Sequence, residues 1–125
     1  MNLDWTQGAL AEGLRRYRAG EFFAAHESWE SVWLVAQEPE KMFLQALIQV
    51  TAAFHHLQRD NSLGASRLLE RALVRLDHYP ATFCSISVTE LCDDIREWQR
   101  ALKSDAPRLP LGSVRIRSVS DARSH

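Results

Sequence analysis

The chain has 125 residues, 46% hydrophobic and 25% charged, a size and balance that suit one globular domain with its own core. A net charge of −1 and an isoelectric point near 6.5 leave no basic excess for nucleic acid or an anionic membrane, so neither is expected as a partner. No run approaches the roughly 18–20 apolar residues of a membrane span.

The opening residues MNLDWTQGAL have no basic region and carry Asp4, so they do not read as a secretory signal. Cys84 and Cys92 make neither a disulfide framework nor a metal-ligand spacing. A reducing, cytoplasmic setting is expected.

Apolar periodicity predicts five helices. Helix 1 runs from about Leu3 or Trp5 to Arg18, with Asp4 and Gln7 as a capping box and Leu3, Leu10, Leu14 and Tyr17 as its stripe. Gly8 and Gly13 weaken it and offer room for a neighbouring helix, and Gly20 is placed to end it. Helix 2 spans about Glu21 to Ala36, with Phe22, Phe23, Trp29, Trp33 and Leu34 on one broad face. Pro39 suits the start of helix 3, which runs to about Arg59 and is apolar almost all round, as expected of the buried centre of the domain. Asn61 or Ser62 caps helix 4, which runs to about Asp77 or His78, with Arg67, Glu70, Arg71 and Arg75 on its wet face. Ala81 to Ile86 reads as a loop, and Ser87 with Glu90 as a capping box that opens helix 5. Leu91, Cys92, Ile95, Trp98 and Leu102 face inward on that helix.

The expectation is therefore an all-α bundle of about five helices around a buried central helix, in a single domain over residues 1–104. Residues 105–125 read as an extended, partly disordered tail, with Val114, Ile116 and Val119 along the domain surface. Arg108, Arg115, Arg117 and Arg123 make the tail locally basic, but Asp105 and Asp121 dilute them. Trp5, Trp29, Trp33 and Trp98 are expected in the core or at an interface. The breadth of the apolar face of helix 2 leaves room for a homodimer.

Two polar intrusions stand out in these apolar helices. His26 and Glu30 lie one turn apart inside the face of helix 2, with Glu27 at its edge. Gln45, Gln49 and His56 form the one polar stripe of helix 3. The first reading is structural: a buried network of His26, Glu30, Gln45 and Gln49 that satisfies itself and fixes the register of two helices. In that case the protein is a binding or interaction module. The second reading is a pocket between helices 2 and 3, with His26 as base and Glu30 or Glu27 orienting it in hydrolase-like chemistry. No serine or cysteine nearby offers a nucleophile. The third is a divalent metal held by His26, Glu30 and His56, against which the intervening glutamines count. No other cofactor is expected.

The blocks Phe22-Phe23-x-x-His26-Glu27-x-Trp29-Glu30-x-x-Trp33, Phe43-Leu44-Gln45-Ala46-Leu47-Ile48-Gln49, Ala52-Ala53 with His55-His56, and Asn61-x-x-Gly64-Ala65 resemble a bacterial and archaeal family. It is the domain of unknown function numbered three hundred and nine. The resemblance covers roughly Arg16 to Leu76. It implies a small all-helical domain around a buried central helix. It also implies that His26, Glu27, Glu30, Gln45, Gln49 and Asn61 are signature positions. Asp60 stands where a glycine is common, which bears on the turn before Asn61. The family carries no biochemical activity to transfer.

Overall fold

Five helices and one small hairpin make up the described residues, 3–104 and 109–117 of a computed structural model. In chain order they are α1 (Gly8–Arg18), α2 (Phe22–Trp33), α3 (Glu40–Gln58), α4 (Ser62–Leu76), β1 (Thr82–Phe83), β2 (Ile86–Ser87) and α5 (Val88–Lys103). The all-α class and the central place of α3 hold. Phe43, Leu44, Ala46, Leu47, Val50, Ala53 and Phe54 on α3 are fully buried, between α2 on one side and α4 on the other. No described helix is long and apolar enough to cross a membrane.

Helix α1 begins later than the periodicity predicts. The Asp4 carboxylate accepts the Thr6 amide at 2.9 Å and the Gln7 side chain at 2.7 Å, which closes a turn in place of a first helical turn. Gly8 then enters the helix at φ +66°, a left-handed conformation that costs glycine little. Leu3 and Trp5 are nevertheless buried, and the Trp5 indole donates to the Cys84 carbonyl at 3.0 Å. The room offered by Gly13 is used. A Cβ there would overlap the Trp29 indole, which lies against α1 and donates to the Leu10 carbonyl at 3.1 Å.

The chain between α4 and α5 is not a plain loop. Thr82 and Phe83 pair antiparallel with Ser87 and Ile86. Cys84 and Ser85 both take positive φ, 47° and 67°, as a two-residue hairpin turn demands. Cys-Ser lacks the Asn-Gly chemistry that announces such a turn, so the sequence hides it. The Ser87 cap does form, its hydroxyl accepting the Glu90 amide at 3.3 Å.

The larger correction concerns the C-terminal segment. Residues 109–117 carry no regular secondary structure, as an extended tail should. Yet Val114 and Ile116 do not lie along the surface: they are 0% and 2% exposed and belong to the core. The Tyr17 hydroxyl donates to the Val114 carbonyl, and the Trp98 indole donates to the Ser113 hydroxyl at 2.7 Å. Arg115 grips the Asp94 carboxylate through Nε and Nη2 at 3.0 and 3.2 Å, so it is a staple and not a free basic residue. Val119, Arg108, Arg123 and the last residues lie outside the described residues.

Candidate functional site: an open groove between α2 and α3

The core edge of α2 is narrower than its apolar residues suggest. Phe22, Ala25 and Trp29, at helical spacing, are 1%, 0% and 0% exposed. The side chains on the flank behave differently. Phe23 is 54% exposed and Leu34 63%, against the expectation of one broad buried face. Trp33 is half-buried, with the Lys41 ammonium 4.5 Å from its ring centre.

His26 and Glu30 sit on this flank. Their side chains are 30% and 49% exposed, so the pair is not buried. The His26 Nδ1 lies 3.7 Å from the Glu30 carboxylate, too far for a hydrogen bond. Gln45, Ile48, Gln49, Ala52, His55 and His56 on α3 are half-buried beside them. The two walls enclose an open groove. One part, about 250 Å³, is lined by His26, Glu30, Trp33, Gln45 and Ile48. A smaller part, about 100 Å³, is lined by Phe23, His26, Ala52, His55 and His56. His26 belongs to both and marks where they meet.

The self-satisfied network expected here does not close. The Nδ1 of His26, the Nε1 of Trp33 and the Oε1 of Gln49 are each buried without a hydrogen-bond partner. The physical reason lies in the placement of α2. Its core edge turns Ala25 and Trp29 inward, and this leaves His26 and Glu30 at the mouth of the groove.

His56 is held differently. The Asn61 carbonyl oxygen accepts the Gly64 amide at 3.0 Å and caps α4, so its amide nitrogen is left to donate to Nδ1 of His56 at 2.9 Å. This fixes His56 as the tautomer with its proton on Nε2. Asp60 makes the bend possible at φ 57°, and the Asn61 amide returns to the His56 carbonyl at 2.8 Å. A glycine would take this conformation with less strain. Burial, with the charges of Arg59, His56 and His26 adding, holds His55 below the ordinary imidazole range. Glu27 is exposed and lines neither part of the groove. Among the described residues no three His, Cys, Asp or Glu side chains converge on a point that could hold a metal ion, so His26, Glu30 and His56 are not assembled as a ligand set.

Both walls of the groove, and the Asn61 cap that closes its end, lie within one continuous part of the chain. Residues 10–68 match the family described as Domain of unknown function (DUF309). The resemblance read from the sequence blocks is thus shown. Over 83 residues the chain is also 29% identical to an uncharacterized protein of Aquifex aeolicus (strain VF5), a match covering 66% of this chain. The same match covers only 25% of that relative, so this chain spans about a quarter of its length. The DUF309 match contains every candidate polar residue. It leaves out α5 and the segment that staples α1 to α5.

Four residues of the groove are not legible as such in the sequence: Phe23 as an exposed wall, Trp33 as a half-buried one, and Ile48 and His55 as lining. Ala25 is the available signal. An alanine at helical spacing with Phe22 and Trp29 joins them in the buried edge, which leaves Phe23 on the flank.

Proposed function

We propose that this chain is a binding module whose working surface is the groove between α2 and α3. One observation carries the reading: the His26 Nδ1 and the Trp33 Nε1, on two side chains that line the groove, are buried without partners, and the Gln49 Oε1, one turn along α3 from Gln45, is a third such atom. Leaving such a group unpaired costs about 1–3 kcal/mol. A bound group that supplies an acceptor to the Trp33 indole and a donor to the Gln49 oxygen offsets that cost. The cluster is then an attachment surface more than a structural brace. Two free thiols, Cys84 and Cys92, suit a cytoplasmic protein.

The chemical shift of the Trp33 indole proton tests this. In the free chain it should lie upfield, as for an indole without an acceptor, and a ligand that fills the groove should move it downfield. A downfield, hydrogen-bonded position without any ligand would mean that the indole already has a partner, and would remove the reading.

A second reading has its own support. A histidine and a carboxylate stand 3.7 Å apart at the mouth of a cavity of about 250 Å³, which suits a base and its orienting group. Its test is hydrolysis of activated esters. Activity that survives His26→Ala unchanged would sink it.

A further inference from the structure

The exposed stripe of α2 reads the same in both directions. Phe23, His26, Glu30 and Trp33 are spaced by three, four and three residues, in the order ring, imidazole, carboxylate, ring. Positions 23 and 33, and positions 26 and 30, are equidistant from Ser28. An antiparallel copy of the same helix, related by a two-fold axis that crosses the stripe at the level of Ser28, therefore sets Phe23 against Trp33 and His26 against Glu30, twice each.

The knob and the hole are also both present. Phe23 stands at one end of the stripe, 54% exposed, with its inner side on the rings of His26 and His55. The larger part of the groove, about 250 Å³ between Trp33, Ile48, Gln45, Glu30 and His26, lies at the other end. Ten residues of helix separate the two ends, about 15 Å at the helical rise. A translation would stack such knobs into an open fibre, whereas the two-fold closes the contact in one pair. The His26 imidazole, 30% exposed, meets a Glu30 carboxylate of the other copy, itself 49% exposed. Leu34, 63% exposed beside Trp33, extends the apolar rim.

We infer that the partner of this groove is a second copy of the chain, in a two-fold dimer that inserts each Phe23 into the other's Trp33–Ile48 pocket. This rests on the groove being a binding surface. It goes further by naming the occupant and the register.

Sedimentation equilibrium of the full chain tests it. The wild type should show a reversible monomer–dimer equilibrium. Phe23→Glu should weaken it at least about tenfold, as loss of a central aromatic anchor does, while Val74→Glu on the exposed face of α4 leaves it unchanged. Phe23 is largely exposed, so the variant should keep the melting temperature of the monomer. His26→Glu should also weaken the dimer, because it sets two carboxylates against each other across the axis. The double variant His26→Glu with Glu30→His restores opposite partners across the axis and should recover most of the loss.

A wild type that stays monomeric up to millimolar concentration overturns the dimer. So does a dimer that Phe23→Glu leaves intact. The Trp33 indole proton shift in the dilute, monomeric chain separates the two ideas. An upfield shift with no dimer at any concentration removes only this inference, whereas a hydrogen-bonded shift removes the groove reading beneath it.

Discussion

Two faces of α2 and its neighbours carry polar side chains among apolar ones, and they end up in opposite states. On the side covered by residues 109–117, polar groups meet across the packing: Tyr17 with Val114, Trp98 with Ser113, Arg115 with Asp94, and the Ser87 amide with the Arg117 carbonyl at 3.1 Å. On the α3 side, His26, Trp33 and Gln49 each keep a buried atom without a partner. Glu90 Oε2 is the exception on the first side, buried without a hydrogen bond and 3.7 Å from the Arg117 Nε; the difference is otherwise between a closed face and an open one. A closed face contributes stability and its mutation should show in unfolding. An open face contributes little, and its mutation should show in association.

The closed face should give the largest effects. Trp29 is fully buried, packs over Gly13, stacks on Tyr17 with ring centres 6.2 Å apart, and bonds to the Leu10 carbonyl. Trp29→Ala should therefore lower the unfolding free energy by about 3–5 kcal/mol, measured by urea denaturation. A loss under about 1 kcal/mol would remove the α1–α2 contact from the stabilising core. Tyr17→Phe is the subtler version. It keeps the ring but leaves the Val114 carbonyl buried and unpaired, at a cost of about 1–3 kcal/mol. Burial, with the Asp94 charge adding, raises the Tyr17 pKa far above the ordinary phenol range, so its hydroxyl stays protonated as the donor. The loss should also show as faster hydrogen exchange at the amides of 113–117; unchanged exchange would detach that segment from the closed face.

The bend at Asp60, between α3 and α4, lies outside both faces. There a non-glycine residue is held at φ 57°. Asp60→Gly should stabilise the fold by about 0.5–1 kcal/mol, the strain removed less the entropy that glycine adds to the unfolded chain. A destabilised variant would show that the aspartate makes a contribution the backbone geometry does not reveal. His55, on the wall of the groove, responds to pH. Its folded pKa is lowered, so the unfolded chain binds its proton more readily. Stability from this group is full above the ordinary value of about 6.5 and declines as pH falls below it. His55→Gln should flatten the drop in melting temperature between about pH 7 and pH 5; a profile left unchanged would assign that drop to other groups.

The sequence carried much of this fold. Its periodicity located all five helices, and Asn61, Ser87 and Gly20 set three of their boundaries as their chemistry demands. It failed where the deciding contact is distant in sequence. Val114 and Ile116 sit in a polar, proline-bearing stretch that reads as surface. Only the unpaired edge left by α1, β2 and α5 makes them core, and no local pattern encodes that edge. The site shows the same split. The chemistry of His26, Glu30, Gln45 and Gln49 sets them apart in the sequence, and the fold places the first three on the walls of one groove. Their burial is not legible locally, because a helical face of five large apolar residues looks uniformly inward, whereas the fold buries only the Phe22–Ala25–Trp29 edge and leaves Phe23 and Leu34 exposed.

His26 gives the smallest expected stability effect and the sharpest contrast. Had it been the centre of a closed hydrogen-bonded network, His26→Ala would cost about 1–3 kcal/mol. In the open groove its Nδ1 has no bond to lose, and the carboxylate 3.7 Å away is about half exposed, where an ion pair contributes little. The variant should unfold within about 0.5 kcal/mol of the wild type, and its defect should show only in association. Gln49→Leu sharpens this further. Removing a buried acceptor that lacks a partner, in favour of an apolar side chain of similar size, should leave stability equal or higher. Wild-type stability combined with lost association in both variants would mark the polar stripe as kept for binding. A stability loss in either would move the groove to the closed class.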